Sequence, residues 1–327
     1  MRTNQIGFET TGSSDVLRTY SRDILLGNHD VLVETKFVGI NMGDVIRRKR
    51  GGVECGIGHP FIPGFEGVGR VVEASSEHAD LLGKSIAFLT PFGAYTTHIA
   101  LNRFQIFVLP DSFEFEPQLA GLICTGLTAW MILQSLPNDF GGRILVPGAA
   151  GGVSSILLQL LRERNIFSLG LVSSDVKASL ARKNGATMTL TCAETPFNRD
   201  LPELKADEFE AVADGVGESV LGVIQKVLKP NGRWIVYGTA SGSSTIMSAD
   251  LIRRRHLMQG ILVFDLLADP HRLEEGYAFL IRALSNNVLK SDTTICEASQ
   301  VGAIHSQIED RTLVGRAVMD VSTLCLA

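Results

Sequence analysis

The run Pro147-Gly148-Ala149-Ala150-Gly151-Gly152-Val153-Ser154-Ser155 is where residue type and spacing first suggest chemistry. It closes one apolar stretch, 143–147, and opens another, 152–164. The first reads as a strand and the second as a helix. Small residues let the backbone approach a ligand. The helix N-terminus then offers unpaired N–H groups and the positive end of a dipole to a phosphate. Against G-x-G-x-x-G, Ala149 takes the first glycine position, Gly151 the second and Ser154 the last. The same turn could stand without a ligand, but its setting between strand and helix favours a pyrophosphate. Gly148, Ala150, Gly151, Gly152 and Val153 are the residues expected to meet it.

The next strand tip reads Leu171-Val172-Ser173-Ser174-Asp175-Val176-Lys177. An NAD enzyme wants an acid at such a tip, about 20 residues after the glycines, for the ribose 2′-OH. Ser173 and Ser174 stand there instead. They leave room for a 2′-phosphate, and Lys177, one helical turn on, supplies charge. NADPH is the expected cofactor. The competing reading makes Ser174 a helix N-cap and Lys177 a solvated charge.

Around these residues the chain alternates. Strands are expected at 143–147, 168–173, 211–214 and 232–237, with helices at 152–164, 174–184 and 219–228. This rhythm predicts a doubly wound parallel sheet with helices on both faces. A buried helix is expected at 119–133. The first third is different: short strands at 31–38, 64–73, 85–89, 94–99 and 108–110, separated by glycine turns, predict a barrel-like β domain. Residues 39–43 read as a turn. The tail is expected to form a helix at 272–286 and a strand at 317–321 that returns to the first domain.

Composition bounds the alternatives. A chain of 327 residues suggests about two domains. A net charge of −5 argues against a nucleic-acid partner. Cys55, Cys124, Cys192, Cys296 and Cys325 are scattered without CxxC spacing, which argues against a disulfide framework or zinc knot. Residues 1–12 lack the apolar core of a secretion signal, and no stretch is clean enough to span a bilayer. A cytoplasmic protein is expected.

The segments Gly39-Ile-Asn41-Met-Gly-Asp44, Pro63-Gly64-Phe65-Glu66-Gly-Val-Gly69 and Leu122-Ile-Cys124-Thr-Gly-Leu-Thr128-Ala-Trp130 complete an ordered set with residues 148–154 and 172–177 and the closing Leu313-Val-Gly-Arg316-Ala-Val. Together they resemble the medium-chain dehydrogenases/reductases, nearest the quinone oxidoreductases and 2-enoyl thioester reductases. The resemblance implies an α/β protein: a GroES-like catalytic domain (1–117 and 263–327) and a Rossmann NADPH-binding domain (118–262), with a cleft between them. It implies a homodimer built through the Rossmann sheets. It also places Gly215, Val216, Tyr237 and Gly238 among the cofactor-binding residues, together with Thr239, Ser241, Phe264 and Arg316.

Zinc-dependent members of that superfamily hold a catalytic zinc with cysteine, histidine and cysteine. The first of these positions is Asn41 here, the second Phe65, and only Cys124 keeps a ligand type. One soft ligand cannot hold zinc, so no metal is expected. Without a Lewis acid the fitting substrates are quinones and α,β-unsaturated carbonyls, whose developing negative charge spreads onto an oxygen. Asn41, in a zinc-ligand position, could donate to that oxygen or to the cofactor, or could be a turn asparagine bonding its own backbone. Thr128 matches a position facing the nicotinamide and could equally be packed in its helix. Asp44 could orient Asn41 or cap the helix that follows.

The enoyl thioester reductases carry a tyrosine in the loop before Pro-Gly-Phe-Glu, and residues 51–60 contain none. Glu54, Cys55 or His59 could replace it, and His59 alone titrates near neutrality. Arg47-Arg48-Lys49-Arg50 could meet the phosphates of coenzyme A or a carrier protein's arm, or could be a solvated surface. The same choice applies to Arg253-Arg254-Arg255. The favoured function is NADPH-dependent reduction of an activated C=C bond. The alternatives are an NADPH:quinone reductase and a non-catalytic NADPH-binding structural or RNA-binding relative.

Overall fold

The computed structural model describes residues 1–27, 29–51, 60–113, 116–193, 197 and 202–325. The chain divides into two compact units. One holds Met1–Cys124, Phe264–Phe279 and Ser291–Ala327; the other holds Thr125–Val263 and Leu280–Lys290. Against the boundaries read from the sequence, the first crossing falls later, and residues 280–290 go with the second unit.

The second unit carries a six-stranded, wholly parallel sheet. Its spatial order is Met188–Thr191, Phe167–Val172, Arg143–Pro147, Phe209–Asp214, Leu228–Val236, Leu257–Gly260. Numbered along the chain this is 3-2-1-4-5-6, the doubly wound order. The order reverses between Arg143–Pro147 and Phe209–Asp214, and ligands bind beyond the carboxyl ends of strands at such a switch point. The helices Gly152–Glu163, Asp175–Lys183 and Leu221–Val227 alternate with the strands as the apolar rhythm requires. Two strands escaped the sequence reading, Met188–Thr191 and Leu257–Gly260. Both lie at sheet edges, and neither shows the continuous apolar run that marks a central parallel strand.

The first unit is built on a seven-stranded sheet ordered Thr293–Glu297, Arg316–Asp320, Val31–Ile40, Glu66–Ala74, Ser85–Leu89, Ile106–Val108, with His98–Leu101 also pairing Val31–Ile40. Its core gathers Val31, Val33, Val38, Val71, Ile86, Phe88 and Met319 with Ile304 and Ile308 of helix Val301–Glu309. An antiparallel hairpin of Arg2–Gly7 with Arg18–Asp23 stands beside it. Its second strand has no buried residue, which is why the sequence carried no apolar signal for it.

Two sequence readings are corrected. Residues 39–43 are not a free turn: the strand runs to Ile40 and helix Met42–Arg50 follows at once. The helix expected over 119–133 is broken into Pro117–Ala120 and Ile123–Ser135. Gly121 lies at the break, where a Cβ would come within 2.8 Å of Val318 Cγ2. No helix among the described residues is long and apolar enough to cross a membrane.

Candidate functional site

In the second unit the glycine turn lies at the sheet's switch point. Gly148 has φ +64°, a conformation that favours glycine. A Cβ on Gly148 would sit 3.0 Å from Val216 Cγ2 on the neighbouring strand's exit. The Gly151 N–H closes the turn on the Gly148 carbonyl at 2.8 Å. Gly151 is the N-cap of helix Gly152–Glu163 and has no side chain to satisfy the first turn's N–H groups. That end of the helix suits an anionic ligand. Val153 sits in this first turn, and Ala150 in the loop before it.

The two departures from the glycine pattern have local explanations. Ala149 is fully buried, and the glycine is instead across from it: a Cβ on Gly170 would lie 2.7 Å from Ala149 Cβ. Ser154 is buried, and its hydroxyl pairs with the Tyr237 hydroxyl at 2.8 Å. Burial pushes the Tyr237 phenol up from its ordinary value. A Cβ on Gly215 would meet the Tyr237 ring, 2.6 Å from Cζ, and one on Gly238 would lie 2.9 Å from the Gly215 carbonyl oxygen. The Ser241 hydroxyl donates to the Val216 carbonyl at 2.8 Å and accepts from the Ser219 N–H at 3.0 Å. Thr239 is exposed in the same loop and accepts from the Gly242 N–H at 3.0 Å. Asp214, absent from the sequence reading, fixes this exit by accepting from the N–H groups of Val216 (2.8 Å) and Gly217 (2.9 Å) and from the Trp234 indole (3.2 Å).

At the second strand tip, Lys177 Nζ donates to Ser173 Oγ at 3.2 Å. Ser174 is the N-cap of Asp175–Lys183 and accepts from the Lys177 N–H at 3.4 Å. Asp175, the one acid at the tip, accepts from the Thr191 hydroxyl at 3.1 Å. A hydroxyl and an ammonium thus meet where an NAD enzyme would place a carboxylate. Thr128 is buried in helix Ile123–Ser135.

In the first unit a polar cluster forms around Asn41, Asp44 and Glu66. Asn41 is the N-cap of Met42–Arg50 and pairs with Asp44 in a capping box. The Asn41 N–H donates to Asp44 Oδ2 at 2.9 Å, and the Gly64 N–H donates to Asp44 Oδ1 at 2.8 Å. Asp44 therefore both caps the helix and ties it to the Pro-Gly-Phe-Glu segment. Gly64 has φ +100°, and a Cβ there would lie 2.6 Å from Tyr95 Cδ1. The Asn41 side-chain Nδ2 donates to Glu66 Oε1 at 2.6 Å. Glu66 Oε2 accepts from the Cys124 N–H, also at 2.6 Å. Gly39 makes room for this carboxyl, since a Cβ there would lie 2.7 Å from Glu66 Cδ.

Both acids are fully buried. Desolvation pushes Asp44 up to about 6 and Glu66 up to about 7, against the opposing pull of their hydrogen bonds. The buried Arg316 guanidinium also favours the charged form of Glu66 and is itself lowered to about 10 by burial. Its Nη1 donates to Ser291 Oγ at 2.7 Å. The Cys124 thiol is pushed well above its ordinary value by burial, then by Glu66 and Asp44. A metal needs the opposite, a thiolate. With an amide at Asn41 already bound to Glu66 and a phenyl ring at Phe65, the residues present do not fit a catalytic zinc.

Phe264 packs edge-on against Phe65, with ring centroids 5.2 Å apart, and the Arg47 guanidinium lies over both rings. The basic run that begins there is not a solvated block. Arg47 donates to the Pro91 carbonyl. Arg48 has no exposed surface, donates to the Gly12 carbonyl at 2.8 Å and pairs with Glu309, as does Lys49. Arg254 is likewise engaged with Asp207 and the Leu228 carbonyl, and Arg255 with Asn231. Glu54, Cys55 and His59 lie outside the described residues. The sequence reading missed Glu66 as a site residue. Its signal was an acid enclosed by a phenylalanine and glycines at the head of an apolar strand.

Comparison with known proteins agrees with this layout. Residues 27–104 match the family model of the alcohol dehydrogenase GroES-like domain, and residues 152–282 match that of zinc-binding dehydrogenases. The chain is 31% identical over 233 residues to a quinone oxidoreductase of Pseudomonas aeruginosa, covering 70% of this chain and 71% of that one. It is 25% identical over 312 residues to a 2-haloacrylate reductase of a Burkholderia species, covering 90% and 91%. The fold matches the crystal structure of Escherichia coli quinone oxidoreductase complexed with NADPH at a TM-score of 0.87 and 22% identity, over 97% of this chain and 99% of that one.

Proposed function

This chain belongs to the medium-chain dehydrogenases/reductases, in their zinc-independent quinone oxidoreductase-like branch, and from that premise we propose that it is an NADPH-dependent reductase of electron-poor C=C bonds conjugated to a carbonyl. The observation that carries the cofactor choice is the Lys177–Ser173 contact at 3.2 Å, with Asp175 turned to Thr191. An ammonium and two serine hydroxyls suit a ribose 2′-phosphate. The Gly151-capped helix end suits the pyrophosphate. Gly148, Gly152 and Val153 shape that end. Gly215, Val216, Tyr237, Gly238, Thr239 and Ser241 form the loops beyond the neighbouring strands.

Bound there, NADPH would supply a hydride to the β-carbon of a conjugated alkene, and a proton from solvent would complete the saturated product at the α-carbon. The protein's part is to hold the substrate carbonyl and stabilise the charge that grows on its oxygen. Asn41 carries a second amide N–H beyond the one given to Glu66, and it is partly exposed. That N–H is assigned to the substrate oxygen. Arg47, Arg48 and Lys49 are committed inside their own unit, so free enones fit better than substrates on coenzyme A or a carrier. The named relative 2-haloacrylate reductase supports the alkene reading. The quinone oxidoreductase relative supports a second one, in which the same donor meets a quinone oxygen.

A second copy of the chain is the proposed partner. Strand Leu257–Gly260 is a sheet edge with all four residues exposed, Leu257 to 54% and Met258 to 45%. An exposed edge strand that carries apolar side chains is a template for pairing.

Steady-state kinetics with both cofactors on a panel of enones and quinones test the assignment. Lys177→Ala should raise the KM for NADPH by about tenfold, the loss of roughly 1.4 kcal/mol from one charge-assisted contact, and leave NADH unaffected. A preference for NADH that the substitution does not change would overturn it.

A further inference from the structure

Glu66 is an expensive residue to keep. A carboxyl with no exposed surface loses its hydration, and the fold recovers only part of that through two hydrogen bonds. The chain has also emptied the space around it, with glycine at 39. The bonds show where this arrangement is directed. One carboxyl oxygen takes the backbone N–H of Cys124, which cannot turn. The other takes Nδ2 of Asn41, which can. The Asp44 N–H donates to the Asn41 backbone carbonyl at 3.0 Å, so the helix cap fixes the Asn41 main chain. With its main chain fixed by the cap and its Nδ2 held by Glu66, the amide has one N–H left to point away from Glu66.

We propose that Glu66 is a positioning residue that locks the amide of Asn41, so that a single N–H of fixed direction meets the substrate oxygen. This rests on the assignment of Asn41 to the substrate carbonyl. The lock requires two acceptor oxygens on Glu66, because both neighbours are donors. A glutamine in its place has one acceptor oxygen and one NH2. The NH2 would oppose either the Cys124 N–H or the Asn41 NH2. The backbone cannot move, so the Asn41 amide turns over and presents its oxygen where the donor belonged. The groups that bear on the charge of Glu66 are Arg316, Asp44, Cys124 and Tyr277. Arg316 offsets the negative charge that would otherwise oppose an oxyanion nearby.

The test is a double-mutant cycle on the full chain, comparing Glu66→Gln, Asn41→Ala and the pair. Glu66→Gln alone should lower kcat on an enone by about tenfold while the KM for NADPH changes less than about twofold, a loss of roughly 1.4 kcal/mol at the transition state. In the Asn41→Ala background it should change kcat by less than about twofold. Equal losses in both backgrounds would show that Glu66 acts through something other than Asn41 and would overturn the inference.

A second readout needs no turnover. The 15N resonances of the Asn41 side-chain amide, assigned by their loss in Asn41→Ala, should move as pH crosses neutrality in the wild type and stay fixed in Glu66→Gln. Titration of those resonances in a protein that reduces no enone or quinone would leave the lock standing and sink the reductase reading. No titration in an active protein would sink the lock alone.

Discussion

At the scale of single residues, this site depends on positions whose meaning is set at long range. Gly39 is an example. Its neighbours in sequence, Val38 and Ile40, are ordinary strand residues, and it is the carboxyl of Glu66 together with the Ala120 carbonyl that explains why position 39 has no side chain. Gly39→Ala should cost about 1–3 kcal/mol in chemical denaturation, because the added methyl meets a buried carboxyl and the Ala120 carbonyl. It should also lower turnover by displacing Glu66 from Asn41. An alanine variant with unchanged stability would show that the carboxyl can shift at no cost. The role of Glu66 itself could not be read from its sequence neighbours. Its partner Cys124 lies 58 positions away, and a backbone N–H leaves no trace in residue type. Ser173, Ser174 and Lys177 were legible because their partners are close in the chain and the strand–helix rhythm fixes which end they occupy. Of the two readings of Ser174, the helix cap is the one observed. Asn41 is both a cap and the donor to Glu66.

At the scale of elements, the parallel sheet was readable and its edges were not. Central strands of a parallel sheet are buried on both faces and carry apolar runs, as in residues 144–147 and 211–213. Leu257–Gly260 has no such run because all four of its residues face out, and that same exposure makes it the proposed subunit contact. Met258→Lys should shift the protein toward monomer in sedimentation velocity while leaving the fold intact, since a charge on an edge strand blocks pairing. A wild type that is monomeric at micromolar concentration would rule this edge out as the contact. The basic run of Met42–Arg50 misled for a related reason. A block of four cations reads as solvated surface, yet Arg48 is buried against Gly12 and Glu309. A charge pattern carries no information about a carboxylate supplied from helix Val301–Glu309, more than 250 residues later.

At the scale of the whole molecule, the buried acids tie stability to pH. Glu66 is raised from 4.5 to about 7 and Asp44 from 3.8 to about 6. The folded state therefore binds protons more tightly than the unfolded chain, and both groups favour folding fully at low pH. Their contribution is lost as pH rises through the folded values, between roughly 4 and 7. His305 works in the other direction. Burial lowers it from 6.5 to about 3, so its contribution is full above 6.5 and is lost as pH falls toward 3. Comparing wild type with Glu66→Gln cancels His305. The difference in melting temperature should favour the variant progressively from pH 5 to pH 8, by about 2 °C for each kcal/mol lost. A difference that stays flat over that range would mean that Glu66 does not titrate there.

The central claim is that this chain carries hydride from NADPH to a conjugated alkene without a metal. It is met most directly by deuterium transfer. Chelator-treated protein would be given NADPH labelled at the transferable C4 position together with a simple enone, and the product would be examined by mass spectrometry and NMR. One deuterium on the β-carbon, at the rate of the untreated protein, is the expected result. A saturated product without deuterium at that carbon, or activity that appears only when zinc is restored, would contradict it.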